Sequence, residues 1–169
     1  DGFKVINDSF GHQAGDQALL EVKDRLLVAC RKSDVVVRWG GDEFLIIGHA
    51  RSIEGAEQFA EKIRLSICEA PYDLGHGDQG RLSGSIGIAP LPFVEGKIDF
   101  ATWGQICSIA DVAAYLAKDT GGNGWVSISG TPLLAQNDLP GLKEFLADRV
   151  NERKLRVKSS VVLGGFSAK

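Results

Sequence analysis

A loop of two glycines and two acids, flanked by two β-rich runs, constrains the fold of this chain most strongly. Residues 35–39 are Val-Val-Val-Arg-Trp, residues 44–47 are Phe-Leu-Ile-Ile, and Gly40-Gly41-Asp42-Glu43 separates the two runs. Val, Ile, Phe and Trp are enriched in strands, and glycine supplies the backbone freedom that a tight connection requires. The pattern therefore predicts a β-hairpin with a four-residue loop at 40–43.

Apolar residues recur at helical spacing in three stretches, about 16–31, 53–69 and 103–118. Each stretch is long enough for a globular helix. We expect the first helix to open at Asp16 and the second to be capped by Ser52, because Asp and Ser side chains accept hydrogen bonds from the free N–H groups of a first turn.

The remaining segments are predicted to be strands and connections. Alternating apolar residues at 82–88 and a β-rich run at 125–129 predict strands. Residues 1–15 are predicted to be a helix-to-loop segment or a loop, and residues 71–80 a polar, Gly-rich loop. Helices that alternate with strands, together with the hairpin, predict an α/β or α+β sandwich with one central sheet.

Charge and hydropathy exclude several classes of protein. The 169 residues include 19 basic and 22 acidic side chains, a net charge of −3, so we expect no nucleic-acid partner. No apolar run approaches the roughly 18 residues that a membrane span needs, so we expect no membrane insertion by this segment. Three widely spaced cysteines indicate free thiols in the cytoplasm. The absence of Met suggests a piece of a longer protein.

The predicted hairpin loop carries residue types suited to a metal–phosphate ligand. Asp42 and Glu43 are adjacent carboxylates, the hard oxygen ligands that Mg²⁺ prefers. Gly40 and Gly41 would let a ligand approach the backbone closely, because glycine has no Cβ atom. A solvated hairpin with a charged tip is the alternative, and the spacing alone leaves both interpretations open.

A second polar cluster lies near the start of the chain and contains Lys4, Asn7, Asp8, His12 and Asp16. A lysine can neutralise phosphate, while the Asn7 amide and the Asp16 carboxylate offer groups that pair with a base edge. A carboxylate matches the N1–H and the exocyclic amine of guanine. Each residue also has an ordinary structural interpretation as a cap, a turn residue, a packing histidine or a surface charge.

Taken in order, these motifs resemble the GGDEF-domain diguanylate cyclases over about residues 1–129. The matching segments are Asp1-Gly-Phe-Lys-Val-Ile-Asn-Asp8, Gly11-His12, Gly15-Asp16, Arg31-x-x-Asp34, Arg38-Trp-Gly-Gly-Asp-Glu-Phe44, Ser85-Ile-Gly87, and Ala110-Asp111 followed by Ala117-Lys118. Each segment is weak alone, but the ordered set is specific. Residues 130–169 are predicted to be a C-terminal extension with a short helix near 138–140 and a strand within 154–163, similar to extensions of some sensor-linked cyclases.

The resemblance implies a fold and an assembly. It implies a central, mostly antiparallel five-stranded sheet flanked by helices, as in nucleotide cyclases and polymerase palms, with the GGDEF loop at a hairpin tip. The family's first strand precedes Asp1 and is absent from this sequence. Two such domains, each holding one GTP, would face each other in a homodimer, and an upstream sensor domain would control their pairing in the cytoplasm.

The resemblance also implies an activity, the condensation of two GTP into cyclic di-GMP with release of pyrophosphate and with Mg²⁺ or Mn²⁺ as cofactor. Asp42 would bind the metal and is a candidate proton acceptor, Glu43 would support it, and Lys4 would contact the phosphates. The implied GTP-binding residues are Asn7, His12, Asp16, Gly40, Gly41 and Lys118. Product would inhibit the enzyme at a separate R-x-x-D site formed by Arg31, Asp34 and Lys62.

Three positions depart from the family pattern. The usual first metal-binding Asp would lie two residues before Asp1, the usual phosphate-binding Arg is Gly122, and a supporting Arg of the inhibitory site is Lys62. The alternative function is therefore a degenerate, non-enzymatic receptor for cyclic di-GMP or GTP. Another cyclase or palm-type polymerase is disfavoured, because Asn7 and Asp16 fit a guanine pocket.

Overall fold

The structure, a computed structural model, describes residues 1–142 and 144–163. The chain forms two units, Asp1–Gly84 and a second that begins at Ser85. None of the helices in these described ranges is long and apolar enough to cross a membrane.

Three helices and two hairpins make up the first unit. Its elements are α1 (Phe3–Phe10), α2 (His12–Ala29), β1 (Val35–Gly40), β2 (Glu43–Ile47), α3 (Ile53–Cys68), β3 (Tyr72–Gly75) and β4 (Asp78–Gly80). The apolar stripe predicted for α2 is buried, as are the inward residues of α3. Ser52 caps α3 as predicted, because its side chain accepts a hydrogen bond from the Gly55 N–H at 3.2 Å.

The start of the chain is more helical than predicted. Of the two predicted possibilities for residues 1–15, the helical one holds for residues 3–10, which form α1. α2 then begins at His12, four residues before its predicted start. Gly11 separates the two helices with a φ of 84°, a left-handed value that glycine adopts readily. Asp16 therefore lies inside α2 and does not cap it.

The predicted hairpin is confirmed, with a shorter turn. β1 and β2 pair antiparallel from Val35 opposite Ile47 to Gly40 opposite Glu43. The four-residue loop was therefore too long a prediction, because the outer two residues belong to the strands. The turn residues are Gly41, at a φ of 51°, and Asp42. A hydrogen bond of 2.9 Å from Arg38 Nε to the Gly41 carbonyl holds the turn.

The segment 71–80 was predicted to be loop but forms the β3–β4 hairpin. Tyr72 and Leu74 are buried while Asp73 between them is exposed. This alternation over only three residues is too short to stand out among the surrounding glycines and acids. Burial also raises the pKa of the Tyr72 phenol to about 12.

Arg25 ties α2 to the segment that links α3 to β3. Its guanidinium donates hydrogen bonds to the carbonyls of Ile67, Ala70 and Pro71 at 3.1, 2.8 and 2.6 Å. The same group lies 3.8 Å from the centre of the Tyr72 ring. These contacts satisfy carbonyls at the end of α3 that the helix itself leaves without a donor.

The second unit is built around a three-stranded sheet. Its elements are β5 (Ile86–Ile88), α4 (Trp103–Asp119), β6 (Trp125–Gly130), a 3₁₀ helix (Gln136–Asp138), α5 (Leu146–Asn151) and β7 (Leu155–Ser159). β5 pairs parallel to β6, and β7 pairs antiparallel to the other edge of β6. The predicted strand at 82–88 shortens to β5, because only its last three residues pair with β6.

The five-stranded sheet implied by the resemblance is not found among the described residues. The strands form two separate two-stranded hairpins and the β5–β6–β7 sheet. The coarser prediction, a mixed α/β fold with the acidic loop at a hairpin tip, is confirmed.

The C-terminal extension contributes to the core of the second unit. Leu134, Leu139, Leu142, Leu146 and Leu155 are buried in the same apolar cluster as α4 and β6. The short helix predicted to start at 138–140 lies further along the chain, as α5, and β7 lies within the predicted strand 154–163. At the end of the 3₁₀ helix the Asp138 carboxylate accepts the Ala135 N–H at 2.9 Å and pairs with Arg149 and Lys154 at 2.6 and 3.2 Å.

Gly87 allows β5 to pack directly on α4. A Cβ atom at this position would lie 1.8 Å from the Ala110 carbonyl oxygen and 2.5 Å from the Ala114 nitrogen. Real Cβ atoms essentially never approach backbone atoms so closely. Only glycine therefore fits between this strand and this helix.

We expect Arg25→Ala to lower the free energy of unfolding by about 2 kcal/mol, because it removes several charged hydrogen bonds at once. Urea denaturation measures this change. The control is Lys23→Ala on the same helix, whose exposed pair with Asp24 contributes about 0.5 kcal/mol or less. Equal effects of the two substitutions would contradict the anchoring role of Arg25.

Gly87→Ala should destabilise the protein by about 3 kcal/mol, because helix and strand must separate to admit a methyl group. Gly104 is the matched control, since it lies in α4 and a Cβ there meets open space. Gly104→Ala should be neutral or stabilising by about 0.5 kcal/mol. Thermal unfolding distinguishes them, and a mild Gly87→Ala would refute the close approach.

Candidate functional site

The helical hairpin α1–α2 carries four of the predicted site residues. Lys4 and Asn7 lie on α1, His12 is the first residue of α2, and Asp16 follows one turn later. Lys4, His12 and Asp16 are exposed, while Asn7 is half-buried. The side chains expected to contact nucleotide are thus mostly open to solvent on consecutive helices.

Asn7 lies against the backbone of α2 at Gly15. A Cβ atom on Gly15 would be 2.0 Å from the Asn7 Oδ1 atom and 2.9 Å from its Cγ atom. The Asn7 amide therefore occupies the space that a side chain at position 15 would fill. Because Asp16 follows Gly15 directly, the structure brings Asn7 close to the part of α2 that carries Asp16.

The hairpin turn presents Asp42 and Glu43 to solvent, with Gly40 and Gly41 beside them. No group of three or more His, Cys, Asp or Glu side chains is placed to hold a metal ion within the described ranges. The chemistry of the two carboxylates still suits Mg²⁺, which usually takes one or two carboxylates and completes its shell with phosphate oxygens and water. Asp42 and Glu43 fit that kind of shared site.

Arg31 and Asp34 are brought together just after α2. The Asp34 Oδ2 atom accepts the Arg31 backbone N–H at 2.8 Å, and the Arg31 guanidinium donates to the His49 carbonyl at 3.2 Å. The Asp34 Oδ1 atom is buried and has no hydrogen-bond partner among the described atoms. A Cβ on Gly48 would lie 3.5 Å from this Oδ1 atom, an ordinary van der Waals distance, and 3.1 Å from Cε1 of Phe59, which is tight.

Lys62 lies near this pair but is already engaged. Its Nζ atom donates a hydrogen bond of 2.7 Å to the carbonyl of Ala29, the last residue of α2. Burial raises the pKa of the neighbouring Cys30 thiol, the Asp34 carboxylate raises it further, and the Lys62 ammonium opposes the shift. Asp34 and Lys62 therefore both lie within electrostatic reach of Cys30.

Lys118 belongs to the second unit, exposed in the last turn of α4. The helix ends in a Schellman motif, in which Gly122 N–H bonds to the Ala117 carbonyl at 3.1 Å and Gly121 N–H to the Lys118 carbonyl at 3.3 Å. Gly122 has a φ of 73°, a left-handed value. An arginine at this position would be strained, so the backbone here suits the glycine that the sequence contains.

A cleft of about 280 Å³ lies in the first unit, beside the N-terminal part of α2. It is lined by Phe10, Gln13 and Gln17 together with the β3–β4 hairpin. None of the predicted GTP-binding residues lines it. We therefore do not assign the nucleotide to this cleft.

Three residues that contact the predicted site side chains were not themselves predicted from the sequence: Gly15 beside Asn7, Gly48 beside Asp34, and His49, which binds Arg31. Gly15 was interpreted as a helix boundary, although a glycine inside a helical pattern often marks a close approach. Gly48 follows a strand and gave no other signal. His49 acts through its carbonyl oxygen, for which side-chain identity carries no information.

Comparison with known proteins identifies the family. The family model described as diguanylate cyclase, GGDEF domain, matches residues 1–124. MucR from Pseudomonas aeruginosa, a bifunctional diguanylate cyclase/cyclic di-GMP phosphodiesterase, is 41% identical over 125 residues, covering 74% of this chain and 17% of MucR. The chain spans 17% to 33% of the length of the first curated relatives that it matches.

Solved structures of GGDEF domains are also similar to this chain. The crystal structure of the GGDEF domain of YfiN from Pseudomonas aeruginosa matches with a TM-score of 0.62 and 37% identity, covering 70% of this chain and 71% of that chain. The GGDEF domain of DgcB from Caulobacter crescentus, in complex with cyclic di-GMP, matches with a TM-score of 0.61 and 27% identity, covering 73% and 70%. The predicted resemblance is confirmed, and the chain belongs to the GGDEF-domain family of diguanylate cyclases.

Proposed function

We propose that this chain is a catalytic GGDEF domain that condenses two GTP molecules into cyclic di-GMP and releases two pyrophosphates. The observation that carries the proposal is the intact hairpin, with Asp42 in an exposed two-residue turn and Glu43 at the start of β2. Relatives such as MucR are named as diguanylate cyclases, which supports the same activity here.

Guanine is bound by Asn7 and Asp16. The Asp16 carboxylate accepts hydrogen bonds from the N1–H and the amine of guanine, and the Asn7 amide pairs with the remaining edge. Adenine does not present two donors in this arrangement, so these groups would be left unpaired beside it. The contact of Asn7 with Gly15 supports this role, because it keeps the Asn7 amide beside the residue that precedes Asp16 in α2. His12 lies one turn before Asp16 and lines the same pocket.

Phosphates are positioned by Lys4, by the backbone at Gly40 and Gly41, and by Asp42 through a bound Mg²⁺ or Mn²⁺. The metal would neutralise phosphate charge and stabilise the charge that develops on transfer. Asp42 is the candidate acceptor for the proton of the attacking 3′-hydroxyl, and Glu43 orients that hydroxyl.

Catalysis requires two copies of this domain, because the 3′-hydroxyl of one GTP must attack the α-phosphorus of another. Each chain offers one set of guanine-binding residues, so a homodimer supplies both nucleotides. An upstream sensor domain would set the pairing of the two copies in the cytoplasm, where the chain is either free or the cytoplasmic part of a membrane-bound sensor protein.

A second site, formed by Arg31, Asp34 and Lys62, binds cyclic di-GMP and inhibits the enzyme. A guanidinium donates to guanine O6 and N7, and a carboxylate accepts from N1–H and the amine. Two observations support the site: the Asp34 carboxylate accepts the backbone N–H of Arg31, which keeps the two residues on one turn, and the GGDEF domain of DgcB has been crystallised in complex with cyclic di-GMP. Lys62 cannot reproduce the planar fork of an arginine, so locking between domains is weaker.

A non-enzymatic receptor for cyclic di-GMP or GTP is the second candidate. One observation favours it: Gly122, at the position of the usual phosphate-binding Arg, is part of the Schellman motif that ends α4. Losing a charged hydrogen bond to phosphate weakens GTP binding by about 1.5–3 kcal/mol. The receptor would retain binding of nucleotide and lack turnover.

Asp42→Asn should abolish formation of cyclic di-GMP from GTP while leaving thermal unfolding unchanged, because the residue lies in an exposed turn. Chromatography of the reaction products measures the loss. Asp78→Asn, which changes an exposed acid of the other hairpin, is the matched control and should retain activity. Normal product formation by Asp42→Asn would refute the role of the turn in catalysis.

Arg31→Ala should weaken the binding of cyclic di-GMP at least about tenfold, because one charged bidentate contact is lost. Calorimetric titration of both proteins with cyclic di-GMP gives the two dissociation constants. Lys32→Ala removes a neighbouring exposed charge and should change the affinity less than about twofold. Indistinguishable affinities for Arg31→Ala and the parent would show that Arg31 does not bind cyclic di-GMP and that the R-x-x-D pair only stabilises the turn after α2.

A further inference from the structure

We infer that Gly15 is a positioning residue for guanine selectivity. Because Gly15 has no side chain, the Asn7 amide packs against α2, and this packing sets the orientation in which Asn7 meets the base. The inference rests on the proposed guanine pocket and goes beyond it, because Gly15 itself offers no group to the nucleotide.

The packing of α1 on α2 carries the inference. A Cβ on Gly15 would lie 2.0 Å from Asn7 Oδ1 and 2.9 Å from Asn7 Cγ, and 3.3 Å from Cε2 of Phe3. The first two distances are shorter than real Cβ contacts, and both involve the end of one flexible side chain, which can move away at little cost to stability. A methyl group at position 15 must therefore displace the Asn7 amide and leave Phe3 nearly in place.

Gly15 lies at a position in α2 where glycine is not the residue that best stabilises the helix. The residue is buried in the interior of α2, between Ala14 and Asp16. Alanine is the better helix former at such a position, so glycine is unfavourable for the helix itself. The space that glycine leaves is filled by a polar amide that is only half-buried. This arrangement costs helix stability and orients a functional side chain.

Other helical glycines show that the constraint is local. A Cβ on Gly55 in α3 would have no neighbour closer than 3.8 Å, which is ordinary van der Waals contact. Gly55→Ala is therefore a control for adding a methyl group to a helix of the same unit. It changes helix propensity in the same direction as Gly15→Ala and leaves Asn7 untouched.

The test is a double-substitution cycle with Gly15→Ala, Asn7→Ala and the combined variant. The probes are the α,β-methylene analogues of GTP and ATP, in which the bond that would be cleaved is replaced by a stable P–C–P bridge. Calorimetry gives the dissociation constants, and thermal unfolding gives the melting temperature of each protein. Gly55→Ala is measured alongside.

We expect Gly15→Ala to weaken binding of the GTP analogue at least tenfold and to leave the weak binding of the ATP analogue within twofold. The melting temperature should not fall, because the displaced group is the end of a flexible side chain and alanine favours the helix. In the Asn7→Ala background, where the clash is removed, the same change should cost no further GTP affinity. Gly55→Ala should alter neither affinity.

Each failure has a separate meaning. If Asn7→Ala binds the GTP analogue as tightly as the parent, the proposed guanine pocket is wrong, and the selectivity role of Gly15 falls with it. If Asn7→Ala weakens binding but Gly15→Ala does not, the pocket stands and the present inference is overturned. A loss of affinity by Gly15→Ala that persists in full without the Asn7 side chain would also overturn it.

Discussion

Close approach of backbone to neighbouring atoms at two glycines is the constraint on which both units depend. Gly15 admits the Asn7 side chain to the surface of α2, and Gly87 admits β5 to the surface of α4. At Gly87 a Cβ atom would meet the backbone carbonyl of Ala110, which cannot move aside, so this packing exists only with glycine. At Gly15 it would meet the end of the Asn7 side chain, so a larger residue would displace that amide and leave the helices in place. The first contact shapes the candidate nucleotide site, and the second supports the sheet of the other unit.

Helices α2 and α3 stabilise each other's C-terminal ends. Arg25 of α2 donates to carbonyls at and beyond the end of α3, and Lys62 of α3 donates to the carbonyl of Ala29 at the end of α2. Cations are favourable at these ends, where carbonyls lack partners and the helix dipole is negative. The candidate inhibitory pair Arg31 and Asp34 follows directly after one of these ends, so its backbone is anchored by the helix pair.

Local patterns predicted much of the fold. The hairpin, the apolar stripes of α2, α3 and α4 and the Ser52 cap depend on residues close in sequence, and the structure confirms them. The boundary between α1 and α2 was wrong because it depends on a single left-handed glycine, Gly11. The β3–β4 hairpin was missed because its buried residues are Tyr72 and Leu74 alone, and their burial depends on distant helices.

The sequence was enough to select the candidate site residues, but not to predict the contacts and backbone conformations around them. Asp42 and the R-x-x-D pair stand out in the sequence because acids, glycines and arginines recur in a fixed order. The contact between Asn7 and Gly15 joins two helices, and the glycine at 122 follows from a helix-ending motif whose φ values no local pattern specifies. Long-range packing and backbone conformation decided these details.

The most direct test of this account is incubation of the protein with GTP and Mg²⁺, followed by separation and mass analysis of the nucleotides. The account predicts cyclic di-GMP together with two pyrophosphates for each product molecule, and no cyclic dinucleotide when ATP replaces GTP. Tight binding of GTP or cyclic di-GMP without any product, at protein concentrations that allow two copies to meet, would contradict the catalytic assignment and identify the chain as a receptor.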